Sequence, residues 1–273
     1  MSDPSASLRL GTALSDFPAE KCLCFTQADE HSEIAIANPD MQDKRKLLAI
    51  FPLFLFVSVA LGGPFEDARS AAARGDFATA VRILQPLDEQ GEPAARYILA
   101  LAYRDGQGVP QNYGAAIKRL RQVADLGIAP AQVSLGGMYA NGQGVRKDFV
   151  EAVKWIRLAA DQGNADAEFH LGGFYLNGQG VPQDYSESAK WFRLAADRGS
   201  PDAQYMTGVM YGKGQGVLQD FVEAHKWLNL AAAHANEAEL RNNAITDRAR
   251  VASMMSSEQV AEAQKLAREW TQK

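Results

Sequence analysis

The stretch Tyr139-Ala-Asn-Gly-Gln-Gly-Val145 returns 36 residues later as Tyr175-Leu-Asn-Gly-Gln-Gly-Val181. The same string, Tyr-x-x-Gly-Gln-Gly-Val, also stands at Tyr103–Val109 and Tyr211–Val217, on the same step. Other positions keep that step: Ala95, Ala131, Ala167 and Ala203; Gly127, Gly163 and Gly199; Trp155, Trp191 and Trp227. Self-similarity at a fixed period of this size is the mark of a stacked-repeat architecture.

Each unit reads as two helices. The first, helix A, is predicted from about Ala165 to Leu176 in the third unit. There Ala167, Leu171 and Tyr175 fall at i, i+4 and i+8 on one helical face. Gly172 and Gly173 are each unfavourable inside a helix by roughly 1 kcal/mol relative to Ala, so another helix is expected to approach closely there. The two glycines of the turn permit positive φ, as a helix C-terminus requires, and Val181 supplies an apolar contact for the loop.

Helix B opens at an acid. Asp148, Asp184 and Asp220 are each followed three residues later by Glu151, Glu187 and Glu223, the pattern of a capping box in which the Glu reaches back. Asn112 and Ala115 replace that pair in the first full unit. Ala152, Trp155, Ile156, Ala159 and Ala160 form one apolar stripe. The tryptophans Trp155, Trp191 and Trp227 are therefore assigned to the core. Gly163 ends the helix.

The register extends outward. Phe77, Ala80, Leu84 and Gly91 sit 36 residues before Tyr113, Ala116, Leu120 and Gly127, with Asp67–Arg74 as their helix A. Asn236 to Met254 reads as a long polar helix, and Ser256-Ser257-Glu258-Gln259 caps a last helix through Trp270. The expectation is an all-α fold, an α/α solenoid of about six helix pairs over 65–273. Four of the pairs are clear repeats, the terminal pairs are atypical, and capping helices begin at about 236.

The pattern Ala-x-x-x-Leu-Gly-x-x-Tyr-x-x-Gly-x-Gly-Val-x-x-Asp, completed by Ala-x-x-Trp-x-x-x-Ala-Ala-x-x-Gly, resembles the Sel-1-like repeat, a relative of the tetratricopeptide repeat. Residues 131–163 and 167–199 fit it almost position by position, with Ser188 in place of the helix-B alanine. Residues 95–127 and 203–238 fit with lapses, including Leu101 near the second glycine, Leu120 for the tryptophan and Thr207 for leucine. The resemblance implies a right-handed α-solenoid that acts as a non-catalytic scaffold, holding a protein or peptide on its concave helix-A face. Some secreted bacterial members cross-link each helix pair with a disulfide. No cysteine follows Cys24 here, so that branch is not supported.

The 273 residues carry 28 Lys+Arg and 33 Asp+Glu, a formal charge of −5, with 47% hydrophobic and 22% charged residues. This is a globular composition. The weakly acidic balance, with a pI near 5.5, argues against a nucleic-acid binder working through a basic face. Residues 1–40 hold seven acids and two bases, which already sum to −5, together with both cysteines, Cys22 and Cys24. Two ligands one residue apart, without partners, are a weak metal or redox pair.

Met41 opens a different stretch. Lys44, Arg45 and Lys46 precede an uncharged run from Leu47 to Leu61, and Ser58 and Ala60 stand at −3 and −1 of a cleavage site. This is the layout of a secretory signal peptide over 41–63. The run is short against the ~20 residues of a membrane span. Two readings stay open. In one, the product starts at Met41, residues 1–40 are a mis-assigned leader, and the mature protein is periplasmic or exported from a bacterium. In the other, the run is an uncleaved signal anchor, the one case in which a membrane is a partner.

Aligned with the tetratricopeptide repeat, Tyr97, Val133, Phe169 and Tyr205 share one groove-facing position of helix A. Asn141, Asn177 and Lys213 share another. An aromatic ladder flanked by amides suits a peptide, since amides bond main-chain groups regardless of sequence. The competing reading is that the aromatics pack on the neighbouring helix and the asparagines simply end helix A. The histidines His31, His170, His225 and His234 form no catalytic spacing, and Gly-Gln-Gly-Val is a repeat turn, not a nucleotide fingerprint. No catalytic residue, metal or cofactor is expected. The expected function is an envelope adaptor binding a protein or peptide. The alternatives are an inner-membrane-anchored adaptor of an envelope or polysaccharide-export complex, and a cell-wall hydrolase or its activator.

Overall fold

The computed structural model describes residues 63–270. The leader, the apolar run from Leu47 to Leu61, and Cys22 and Cys24 lie outside them. Among the described residues the chain forms twelve helices and no strand. The helices A are α1 (Pro64–Ala73), α3 (Pro93–Asp105), α5 (Ala129–Asn141), α7 (Ala165–Asn177), α9 (Pro201–Lys213) and α11 (Ala238–Ala252). The helices B are α2 (Phe77–Glu89), α4 (Tyr113–Ala124), α6 (Phe149–Ala160), α8 (Tyr185–Asp197), α10 (Phe221–His234) and α12 (Ser257–Glu269). Two compact units divide after Leu158, inside α6.

In the unit of residues 63–158, α1 to α5 pack each on the next in chain order. Their cores are built from Ala71, Leu84, Ala95, Ile98 and Leu99, and from Ala116, Leu120, Ala131, Leu135 and Met138. In the unit of residues 159–270, α7 to α11 pack in the same serial way, and α12 folds back onto α10. Phe192, Met206, Met210, Leu228 and Val251 fill one core there. Ala195, Ala203, Trp227, Leu230 and Ala267 fill another. Contacts between chain neighbours are the signature of a solenoid, in which each repeat buries its apolar face on the next.

The glycines explain the closeness of this packing. A Cβ added at Gly172 meets Cδ1 of Phe192 at 2.7 Å, so α7 and α8 touch at a point that only hydrogen fits. Ser188, where the repeat has alanine, is fully buried, and its hydroxyl donates to the Gly172 carbonyl at 2.9 Å. The turn glycines have a second duty beyond positive φ. A Cβ at Gly216 falls 2.0 Å from the Tyr185 carbonyl oxygen, so the loop of one repeat rests on the start of the preceding helix B.

The helix-B caps differ from expectation. Asp184 accepts from the Ser186 and Glu187 amides at 2.9 and 3.0 Å, and Asp148 and Asp220 do the same at their helices. The glutamates do not reach back. Glu151, Glu187 and Glu223 instead take Lys154, Lys190 and Lys226, one turn ahead, at 2.5, 3.3 and 2.9 Å. A full reciprocal box forms at α12 alone among the described helices, where Ser256 and Gln259 exchange bonds of 3.3 and 2.9 Å. Asn112 caps α4 through the Ala115 amide. Of the tryptophans, Trp227 is fully buried, Trp191 is buried and Trp155 is half-buried.

Candidate functional site

Helix A carries the predicted partner-binding positions, and what holds each helix A in place decides what they can do. One register position ties helix A to the helix B before it. Arg96 donates to the Asp88 carbonyl at 2.8 Å, Gln132 to Ala124 at 3.2 Å and Gln204 to Ala196 at 3.3 Å. These carbonyls lie in the C-terminal turns of helices B, where each also accepts from the amide of the glycine that follows, Gly91, Gly127 or Gly199. In the third repeat the residue is Glu168, which cannot donate when ionised. Its buried carboxylate, 2% exposed, accepts both bonds from Arg198 Nε at 3.1 Å. Burial pushes the Glu168 carboxyl up, and Arg198 opposes that shift.

In the unit of residues 63–158, Tyr97 is half-buried, and its hydroxyl shares a hydrogen bond of 3.4 Å with that of Ser134 on α5. Val133 is half-buried beside it in sequence. Asn141 is the last residue of α5, followed by Gly142 at φ 74°. Asp88 binds Arg96 at 2.7 Å and Arg119 at 2.9 Å, a half-buried triad joining α2, α3 and α4.

In the unit of residues 159–270, Phe169 is half-buried, and its ring lies 5.4 Å from that of Phe192. Asn177 ends α7, and its buried Nδ2 has no hydrogen-bond partner in the protein. Tyr205 departs from the groove-lining expectation. It is 3% exposed, and its hydroxyl donates to Asp247 on α11 at 2.7 Å. A side chain closed off in this way lines no open groove, because α11 occupies that side of α9. Asp247 also takes Arg250 at 2.7 Å. Lys213, exposed at the end of α9, has its ammonium lowered by partial burial, with Asp247 opposing the shift. Asp247 and Arg250 are neighbours of Tyr205 and of one another that repeat periodicity misses, since α11 carries no repeat string.

At Tyr97 and Tyr205 the aromatic therefore packs toward the next helix A. At Val133 and Phe169 part of the side chain remains accessible. Two histidines are shifted down from the ordinary imidazole range. Packing pushes His170 down to about 4, and burial, with Arg248 nearby, lowers His225. A general acid or base works best near the operating pH. Among the described residues no cluster of His, Cys, Asp or Glu has a metal-binding arrangement, and no helix is long and apolar enough to cross a membrane.

Comparison with known proteins follows the same repeat boundaries. A family model described as Sel1 repeat matches residues 93–127, 129–164, 165–200 and 201–236. No curated protein matches the chain. A solved structure of a protective antigen of uropathogenic Escherichia coli, displaying an SLR fold, is 31% identical with a TM-score of 0.63. The match covers 70% of this chain and 40% of the antigen, so the chain spans well under half of that protein's length. A Sel1 repeat protein from Oxalobacter formigenes is 29% identical with a TM-score of 0.63, over 76% of this chain and 85% of the other.

Proposed function

This chain belongs to the Sel1 repeat family, and from that premise we propose that it is a non-catalytic adaptor of the bacterial cell envelope. Sel1 repeat proteins are generally protein-interaction scaffolds, and the all-α solenoid has the construction for it. The partner-binding positions are on helix A: Val133 and Asn141 in the unit of residues 63–158, and Phe169, Asn177 and Lys213 in the unit of residues 159–270. The observation that carries this reading is the run of four matched repeats whose helix-A side chains keep accessible apolar surface at Val133 and Phe169. The occupant is a protein segment, held by apolar contact and by amides that bond its main chain. The envelope assignment is supported by the signal-peptide layout from Met41.

Two measurements test this. A photo-crosslinking residue at position 133 or 169 of the full chain is expected to capture a protein from envelope extracts, while probes at Lys118 and Lys154 on helices B do not. Capture from helix B alone overturns the choice of face. Amino-terminal sequencing of the native protein is expected to begin after Ala60. A start before Met41 overturns the exported form.

A further inference from the structure

The joint between α10 and α11 departs from its siblings at a buried position. Ile117, Val153 and Ala189 recur on the 36-residue step, and His225 follows them. His225 is 4% exposed, and its Nδ1 has no hydrogen-bond partner in the protein. A titratable ring therefore stands where the other helices B place apolar side chains. The residue one turn further on is changed as well. Arg121, Arg157 and Arg193 share that position. Arg121 donates to the Tyr139 hydroxyl at 2.5 Å and Arg193 to that of Tyr211 at 3.3 Å, each reaching from helix B to the next helix A. In the last of these units the position is Asn229, and the guanidinium comes from the opposite side. Arg248 of α11 donates to the Asn229 side-chain oxygen. His225 and Asn229 are four residues apart, so they share the face of α10 that is turned to α11.

A second positive charge on that face would find no relief. α9 meets α10 at Gly208, against Ala224 and Leu228, and α12 meets it at Trp227 and Leu230. The charged group that acts on His225 is Arg248. Two carboxylates of these helices are engaged elsewhere. Glu223 holds Lys226 at 2.9 Å and Arg193 at 3.7 Å. Asp247 takes the Tyr205 hydroxyl and Arg250, and it acts on Lys213 at the end of α9. Burial first, and Arg248 second, hold the imidazole below its ordinary 6.5. The neutral ring is thus the form that the packed joint accepts. A ring released by departure of α11 regains the ordinary value. Above 6.5 the closed and open forms are both neutral, and pH has no effect. As pH falls through 6.5 the open form takes the proton first, so closure weakens until the value of the packed ring is reached. Carboxyls raised by burial, such as Glu168 and Asp202, act in the opposite sense.

We propose that the α10–α11 joint is an acid-sensitive latch, in which a proton on His225 beside Arg248 loosens α11 from α10 and uncovers Tyr205. Buried histidines that charge in mild acid are a recurrent way to bias a packed interface. The latch does not depend on which partner occupies helix A, so either reading can fail without the other. The test is amide hydrogen exchange of the full chain, read by mass spectrometry at pH 7.5 and pH 5.5 and corrected for the intrinsic pH dependence of exchange. The opening constant of α11 is expected to rise by up to about tenfold between the two, the limit for one group with an open-state value of 6.5. The slowest amides of α1 to α5 should keep their protection. His225→Val places the residue of a sibling helix B, and His225→Gln keeps a polar side chain that does not titrate. Either variant should abolish the rise. His234, the other histidine of α10, faces Trp270 and Gln204 instead, so His234→Gln should retain the rise. An α11 whose opening is the same at both pH values overturns the proposal. So does a rise that survives both His225 variants, one that His234→Gln removes, or one shared equally by α1 to α5.

Discussion

Glu168 stands where Gln132 and Gln204 stand, yet it cannot make their bond to the preceding helix B. Its carboxyl is raised above 4.5 by burial, with Arg198 opposing the shift. The folded state therefore holds this proton to higher pH than the unfolded chain does. Stability contributed by the group is fully present below 4.5 and falls as pH rises through the folded value. Glu168→Gln removes that fall and supplies the donor found at the sibling positions, with the Ala160 carbonyl as its target. Urea unfolding at about pH 4 and about pH 7 is expected to show the variant losing less stability than the wild type between the two. Identical pH dependence would refute this account of Glu168. Gly172 is the second sensitive residue. Alanine gains roughly 1 kcal/mol in helix propensity, but its Cβ would sit 2.7 Å from the Phe192 ring. The overpacking should win, and Gly172→Ala is expected to destabilise by about 1–3 kcal/mol in the same measurement. A stabilised variant would mean that α7 and α8 are not in close contact.

At the scale of the element, the helix-B start separates two capping models. With Glu187 reaching back, losses at Asp184 and Glu187 would be similar. In the structure Asp184 satisfies two amides, and Glu187 pairs only with exposed Lys190. Asp184→Ala is thus expected to destabilise by about 1 kcal/mol, and Glu187→Gln by less than about 0.5 kcal/mol. Comparable losses in chemical denaturation would restore the reciprocal box. The sequence pattern Asp-x-x-Glu is shared by both arrangements, which is why it did not separate them. Helix existence and register were legible because period, glycine and stripe all point the same way at Ala167, Leu171, Gly172 and Trp191. The surroundings of Tyr205 were not. Its closure depends on Asp247, 42 residues on, in a polar helix that carries no repeat string to align. The same limit hid the surroundings of Thr207. Thr207 was visible as a lapse from leucine, but that its hydroxyl is buried without a partner depends on how α8 and α9 pack.

At the scale of the molecule, a solenoid must close its last repeat, and α11 and α12 do this for the unit of residues 159–270. Tyr205 bonds Asp247, Arg248 bonds Asn229, and α12 lies on α10 with Trp270 edge-on to Trp227 at 6.4 Å and tilted against His234 at 5.4 Å. Beneath this pair lie Trp227, fully buried, and buried Leu230. On the neighbouring helix B, Leu194, the repeat equivalent of Leu230, is exposed. The difference is what α12 covers. Solenoids need such terminal caps with a polar outer face for solubility, and an uncovered apolar end surface associates with copies of itself. A chain ending at Ala235 is therefore expected to self-associate in sedimentation velocity and to unfold at least about 5 °C lower than the full chain. Restoring α11 and α12 as a separate peptide would return monomers if the cap acts by coverage. A truncated chain that stays monomeric with an unchanged midpoint would show that the fourth repeat closes itself. Tyr205 would then be free to face a ligand, as its place on helix A first suggested.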